Sequence, residues 1–206
     1  MLYEIIIYPI DLDNKIKKIK FELLSLLSIK QNNSEEIVKI FISKISKIRE
    51  YLYYDCEAIY NNDPACNSKE EVFLSYPGFY ALLIYRFAHE LFLLCVELLP
   101  RMMTEFAHSR TGIDIHPGAV IGKYCSIDHG TGIVIGETTV IGDNVRLFQG
   151  VTLGALSTIE GQKLKGIKRH PTIKNNVTIY ANATILGGET IIEEGVIIKA
   201  NAFIIK

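Results

Sequence analysis

Two hydrophobic rhythms run along this chain, and they meet near residue 111. Before that point apolar residues recur at three- and four-residue steps. Ile16, Ile19, Leu23, Leu26 and Leu27 form one such series, and Ile37, Ile40, Phe41, Ile45, Ile48 and Leu52 a second. This spacing puts an apolar stripe on one face of an α-helix. The punctuation agrees. Ser34 ahead of Glu35 and Glu36 marks a helix start, and Ser68-Lys-Glu-Glu71 has the spacing of a capping box. Asn61-Asn-Asp-Pro64 reads as a break, Pro77 as the opening of the next helix, and Pro100 as its close or kink. Residues 1–110 are therefore expected to form a helical bundle.

From Thr111 onward a six-residue rhythm takes over. It runs through Ile115, Ile121 and Ile127, then Ile135, Ile141, Leu147 and Leu153, then Ile173, Ile179, Ile185, Ile191, Ile197 and Phe203. Neither a helix nor a sandwich strand repeats every six residues. A parallel β-helix does: each hexapeptide makes one short strand and one corner, and three hexapeptides close a triangular coil. The aliphatic residue of each hexad then points into the prism. Ala119, Cys125, Thr139, Val145, Val151, Val177 and Ala183, four positions later, fall where a tight corner leaves little room. The expected fold class is α + β, with a helical domain over 1–110 and a parallel β-helix over 111–206.

A solenoid builds itself by repetition, so a departure from the repeat needs another reason. The step from Ile127 to Ile135 is eight residues, with the extra length at Asp128-His-Gly-Thr-Gly132. The step from Leu153 to Ile173 is twenty, two more than three hexads, and the segment ends in Lys168-Arg-His-Pro171. Each break carries a histidine. His129, with Asp128 before it and glycines behind it, has the chemistry of a general base, and equally that of a surface turn. Arg169 and His170 could clamp an anion, or belong to a solvated basic loop with Lys163, Lys165 and Lys168. His116 reads as a cap on the first coil, His89 as a hydrogen-bonded packing residue, and His108 as exposed at the junction.

Charge and cysteine content narrow the partners. Twenty-two basic residues against 23 acidic ones leave a net charge of −1, with no footprint for nucleic acid and no polybasic membrane signal. Cys56, Cys66, Cys95 and Cys125 form no CxxC pair, which argues against a zinc knuckle or a dithiol motif. The segment 3–10 lacks the basic start of a signal peptide. The apolar stretch 79–99 carries Arg86, His89, Glu90 and Glu97, which are costly in a bilayer. A soluble, cytoplasmic protein is expected.

Several blocks resemble the serine O-acetyltransferases. They are Asp63-Pro-Ala, Tyr85-Arg-Phe-Ala-His89, Asp114-Ile-His-Pro117, Asp128-His-Gly-Thr-Gly-Ile-Val-Ile-Gly-Glu137, Val151-Thr-Leu-Gly154 and Lys168-Arg-His-Pro171. The resemblance implies that the β-helix is left-handed. It also implies that acetyl passes from acetyl-CoA to the hydroxyl of L-serine for cysteine synthesis, by direct attack and without a metal. It makes His129 the base and Asp114 its orienting carboxylate. Arg169 and His170 would hold the serine carboxylate, Asp63 and Asp128 its ammonium, and Glu137 would lie beside the site. Gly154, Ala155, Ala181 and Gly187 match the wall along which the CoA arm runs between neighbouring prisms. A homotrimer follows, and two trimers could pair through the helical half, where 91–99 is either an interface or bundle core. L-Cysteine is implied as a feedback inhibitor in the serine site.

The sequence also departs from the family's common form. Ala155 stands where a second glycine is usual, Lys168 where an aspartate is usual, and the intervening loop is longer, as in a second subgroup. The repeat runs to Phe203-Ile-Ile-Lys206, so the tail that family members insert into an O-acetylserine sulfhydrylase is not seen, and that complex is not expected. Three other readings stay open on sequence: a sugar or drug acetyltransferase on the same scaffold, a non-catalytic binding module, and a metal hydrase. The last lacks the paired histidine spacing.

Overall fold

A computed structural model of the chain describes residues 12–29 and 33–206, so the segment 3–10 lies outside the described residues. Five helices come first: α1 (Leu12–Leu27), α2 (Ser34–Asn62), α3 (Lys69–Ser75), α4 (Pro77–Leu93) and α5 (Leu99–Thr111). The apolar stripes read from the sequence are the buried faces, with Ile19, Leu23 and Leu27 on α1 and Ile37, Phe41, Ile45, Ile48 and Leu52 on α2. Ser34 is the first helical residue rather than the cap, because Asn33 precedes it as cap without a side-chain bond. Ser68 does cap α3, accepting from the Glu71 amide at 3.2 Å, while the Glu71 carboxylate turns to the Asn67 amide at 2.8 Å.

Pro100 behaves differently from the expectation. The chain has already left α4 at Leu93, turns at Leu98 (φ +60°), and places Pro100 in the first turn of α5. A first-turn residue has no intrahelical acceptor for its N–H, so proline sits there without loss. Of the 91–99 stretch, Leu91 is buried in the core, whereas Phe92, Leu93 and Leu98 are exposed.

A left-handed parallel β-helix follows, in three sheets. The first stacks β1 (Asp114–Ile115), β4 (Val134–Ile135), β7 (Thr152–Gly154), β10 (Thr184–Leu186) and β13 (Phe203–Ile205). The second stacks β2 (Val120–Ile121), β5 (Val140–Ile141), β8 (Thr172–Ile173) and β11 (Ile191–Ile192). The third stacks β3 (Ser126–Asp128), β6 (Arg146–Phe148), β9 (Thr178–Ile179) and β12 (Ile197–Ile198). Ile115, Ile135, Leu153 and Ile185 form one inward column, as the hexad pattern requires. All the small corner residues from Ala119 to Ala183 are fully buried. Asn144, Asn176, Asn182 and Asn201 turn other corners in the left-handed region, which asparagine tolerates better than most side chains.

Two parts of the repeat differ from the sequence reading. The last coil is shifted by one residue: Ile192 and Ile198 point inward, and Ile204 stands opposite Ile185, while Ile191, Ile197 and Phe203 are exposed. The extra residue falls at Gly187-Gly188, where Gly187 takes φ +100°. The segment between Leu153 and Ile173 is not three hexads and a remainder. Ile173 pairs with Ile141 of the preceding coil, so twenty residues span a single corner where six would do, as an excursion with one short 3-10 turn at Gly161–Leu164.

The helices dock on the prism through a buried ion pair. Arg86 on α4 donates to both oxygens of Asp55 on α2 (3.0 and 2.9 Å) and to the carbonyls of Ile121 and Gly122 (2.6 Å each). Asp55 also accepts from the Cys125 amide at 3.0 Å. Each charge is thus paired and hydrogen-bonded, the condition under which burial is tolerated. Tyr85 adds a bond to the Ala119 carbonyl at 2.6 Å, and the apolar core runs unbroken from the helices into the prism. Among the described residues no helix is long and apolar enough to cross a membrane, and all four cysteines are free thiols.

Candidate active site at two corners of the β-helix

The first corner joins β3 to β4. His129 adopts φ +58°, Gly130 +87° and Gly132 +81°. A Cβ on Gly130 would lie 2.4 Å from Ile113, so only glycine lets the chain fold back there. The turn lifts His129 outward, leaving its side chain 72% exposed, with Nε2 3.5 Å from Asp128. Asp128 is also paired with Arg146 of β6 at 2.7 Å. Asp63, which ends α2, reaches the same corner. Its Oδ2 accepts from the Tyr76 hydroxyl at 2.5 Å and its Oδ1 from the Ala65 amide at 2.8 Å. These two donors hold the Asp63 carboxyl below the usual carboxylate range, with a smaller contribution from the nearby charges of His129 and Arg146.

The second corner joins β4 to β5 and faces the end of the excursion. Arg169 forms a short ion pair with Glu137, and its Nη1 donates to the Leu164 and Ile167 carbonyls at 3.2 and 3.3 Å. Burial pushes the Glu137 carboxyl up, but the Arg169 bond and the surrounding positive charge outweigh it and hold it low. Thr138 organises the rest. Its Oγ1 accepts from the amides of Arg169 (2.9 Å) and His170 (3.1 Å), and its own amide donates to His170 Nδ1 at 3.1 Å. His170 is buried, and desolvation, helped by Arg169, pushes its pKa from 6.5 to about 4. The ring is therefore neutral, with Nδ1 as acceptor and the proton on Nε2. Lys168 braces the turn by donating to the carbonyls of Thr138 (2.6 Å) and Pro171 (3.2 Å).

The single chain does not bring all the expected residues together. His129, Asp128 and Asp63 share the first corner; Glu137, Arg169 and His170 share the second. The extended run from Ile133 to Gly136, roughly 10 Å long, separates them. Asp114 on β1 is 3.3 Å from Arg101 of α5 and, among the described residues, makes no ion pair with His129. Its field is instead felt at His116, which shares its strand face and whose pKa burial lowers. Gly154, Ala155 and Gly187 cluster past the ends of β7 and β10, but Ala181 lies at the opposite end of β10. His116 accepts from the Gly118 amide at 3.0 Å, His89 bonds the Pro117 carbonyl at 2.7 Å, and His108, in the last turn of α5, is half-buried rather than exposed. Glu105, His108 and Asp114 converge within 4.8 Å, but Arg101 already pairs with Glu105 and Asp114 there.

Tyr76, Arg146, Thr138 and Gly136 were not singled out from the sequence. Tyr76 and Arg146 lie outside the recognisable blocks and carry no local signal. Gly136 falls inside the Asp128–Glu137 block, but only its contact with His170, from a corner 34 residues on, gives it a role.

Comparisons with known proteins bear on the family and the fold. The family described as "Serine acetyltransferase, N-terminal" matches residues 1–83. A plasmid-borne serine acetyltransferase of Synechococcus elongatus is 46% identical over 149 residues, covering 71% of this chain and 47% of that protein. A serine acetyltransferase of Helicobacter pylori is 48% identical over 122 residues, covering 59% of this chain and 68% of that protein. The chain thus spans between about half and two thirds of these relatives. Among solved structures, isoform 3 of the Entamoeba histolytica serine acetyltransferase, in complex with cysteine, superposes with a TM-score of 0.89 at 37% identity, covering 99% of this chain and 75% of that one. The soybean enzyme complexed with serine gives 0.71 at 37% identity, covering 82% and 66%. A serine acetyltransferase complexed with CoA gives 0.71 at 33% identity, covering 82% and 67%. The chain belongs to the serine acetyltransferase family.

Proposed function

We propose that this chain transfers the acetyl group of acetyl-CoA to the hydroxyl of L-serine, giving O-acetyl-L-serine and CoA for cysteine biosynthesis. The observation that carries the reading is the division of charge between the two corners. The first holds Asp63 and Asp128 against one guanidinium, Arg146, beside an open histidine; the second holds Glu137 against two cations, Arg169 and Lys168, beside a neutral histidine. A zwitterionic amino acid needs both signs, and serine is too small to bridge two corners of one prism. The supporting inference is a homotrimer, in which the first corner of one subunit faces the second corner of its neighbour. Cover from a neighbour would also shield His129, whose exposure in the single chain leaves it open to bulk water.

In this arrangement Asp63 and Asp128 receive the ammonium, and Arg169, steadied by Glu137, receives the carboxylate with His170 donating from Nε2. His129 takes the hydroxyl proton as the serine oxygen attacks the thioester carbonyl. Backbone amides at the corners stabilise the tetrahedral oxyanion. The C–S bond then breaks, and the proton on His129 passes to the departing thiolate. The small residues Gly154, Ala155 and Gly187 admit the CoA arm against the backbone. Asp128 is the carboxylate the geometry offers to the imidazole, while the resemblance assigns that role to Asp114. L-Cysteine carries the same charges as serine and is proposed to compete for the site. Free thiols and the soluble family suit a cytoplasmic reaction.

The test is release of CoA thiol from acetyl-CoA with L-serine, run beside His129→Ala, Asp114→Asn and Asp128→Asn, with sugars as alternative acceptors. Serine-dependent release that collapses in His129→Ala supports the reading. Release with a sugar but not with serine overturns it. The larger kcat loss between Asp114→Asn and Asp128→Asn identifies the orienting carboxylate.

A further inference from the structure

We infer that Arg146 is a positioning residue that places both carboxylates of the ammonium site and sets its charge to match a single amine. The inference rests on the proposed serine reading. Arg146 stands on the outer face of β6, opposite Ser126 of β3, and its guanidinium reaches along the sheet. One nitrogen, Nη2, makes two bonds: to Asp128 Oδ2 at 2.7 Å and to the Asn62 carbonyl at 2.9 Å. Asn62 is the last residue of α2, directly before Asp63. A single group therefore ties the helix end that carries Asp63 to the strand end that carries Asp128.

The surroundings fix that group in turn. Its guanidinium lies 4.6 Å from the Phe148 ring centroid, and Phe148 stacks on Tyr180 at 4.9 Å. Asn62 closes the same seam through Ser126 at 3.2 Å. The Arg146 Nε is buried and makes no hydrogen bond, so the side chain is not held for its own sake at that atom. A cavity of about 10 Å³ lies between Asn62, Asp63, Tyr76, Ser126, Asp128 and Arg146, which leaves the two carboxylates little room to drift.

Charge completes the argument. The groups facing His129 are Asp128 beside it, Asp63 from the end of α2 with Tyr76 bonded to it, and Arg146 from β6 through Asp128. Two carboxylates and one guanidinium leave one net negative charge, the complement of one ammonium. Without Arg146 the corner would hold two uncompensated carboxylates, one charge more than a single ammonium neutralises.

The test compares the unaltered protein with Arg146→Gln and Arg146→Lys. Arg146→Gln is expected to raise the KM for serine about tenfold, the loss of one charge-assisted bond. The KM for acetyl-CoA should stay within about twofold. Arg146→Lys keeps the charge on a side chain one atom shorter than the reach of Nη2, so it should recover only part of the serine KM. It also serves if Arg146→Gln does not fold. Calorimetric titration of L-serine into both forms reads the same site without turnover. An unmoved serine KM and an unmoved serine affinity in Arg146→Gln, with only the thermal midpoint lowered, would reduce Arg146 to a structural tie and overturn the inference. Absence of serine turnover in the wild type counts against the serine reading alone, and the binding titration still decides the role of Arg146.

Discussion

The ring of His170 lies directly against Gly136: a Cβ built on that glycine would stand 2.1 Å from Cδ2 and 2.2 Å from Nε2. The strand face of β4 thus forms the floor on which the neutral imidazole rests. Gly136→Ala must displace the ring, since real Cβ atoms do not approach so closely. The expected cost is about 1–3 kcal/mol of stability. Misplacing a substrate donor should also lower serine-dependent kcat/KM by about tenfold or more. Denaturant titration and steady-state kinetics on the same preparation read both.

Acid should loosen this corner through the same histidine. In the unfolded chain His170 takes up a proton near its ordinary pKa of 6.5, whereas the folded chain resists until about pH 4. Between those values the unfolded state binds the extra proton, so stability falls as pH drops below 6.5 and levels off below 4. The slope from this group is at most about 1.4 kcal/mol per pH unit, that of one proton. His170→Asn should flatten that part of the curve; thermal midpoints measured from pH 7.5 to 4 would show it.

At the first corner the 2.5 Å bond from Tyr76 to Asp63 aims one carboxylate oxygen. Tyr76→Phe removes the hydroxyl and little else. The serine KM should rise roughly three- to tenfold, on the scale of one hydrogen bond to a charged group. The acetyl-CoA KM should hold. Equal changes in both constants would show that Tyr76 supports the fold and not the carboxylate.

Arg86→Met leaves the Asp55 carboxyl in a dry seam without its cation, with the Cys125 amide as its remaining partner, so it must stay charged and unpaired or take up a proton. Breaking one side of a buried pair costs about 3–5 kcal/mol. Here the loss should fall on the docking of helices to prism. Chemical denaturation should show a lower midpoint, or a split transition in which the β-helix outlasts the helices.

The fold was legible because its repeat is physical: Ile115, Ile135, Leu153 and Ile185 must stack in one column, and the sequence returns to an aliphatic residue every six positions between the breaks. The shift of the last coil was not, because Ile191-Ile192 and Ile197-Ile198 offer two adjacent aliphatics, and only the Gly187-Gly188 corner decides which one turns inward. Pro100 was misplaced for a similar reason, since a proline ends one helix and begins another with the same chemistry. At the site, His129 and the Arg169-His170 pair stood out because they interrupt the repeat. Arg146 did not, because it acts across the seam between halves of the chain far apart in sequence, where no local pattern records the contact. The Tyr76–Asp63 bond and the Arg101–Asp114 pair each join neighbouring elements across a turn, at a separation no helix or strand period marks.

The excursion between β7 and β8 has an architectural consequence. The strands on either side keep their places in the stack, Leu153 beneath Ile185 and Ile173 beside Ile141, whatever length of chain runs between them. Lengthening or shortening that segment therefore leaves the scaffold's register intact, while its end, from Leu164 onward, is tied to the site through the Leu164 and Ile167 carbonyls that hold Arg169. Residues 156–163 form a module that can be remodelled for a different acyl donor or an added contact without redesigning the coil beneath it.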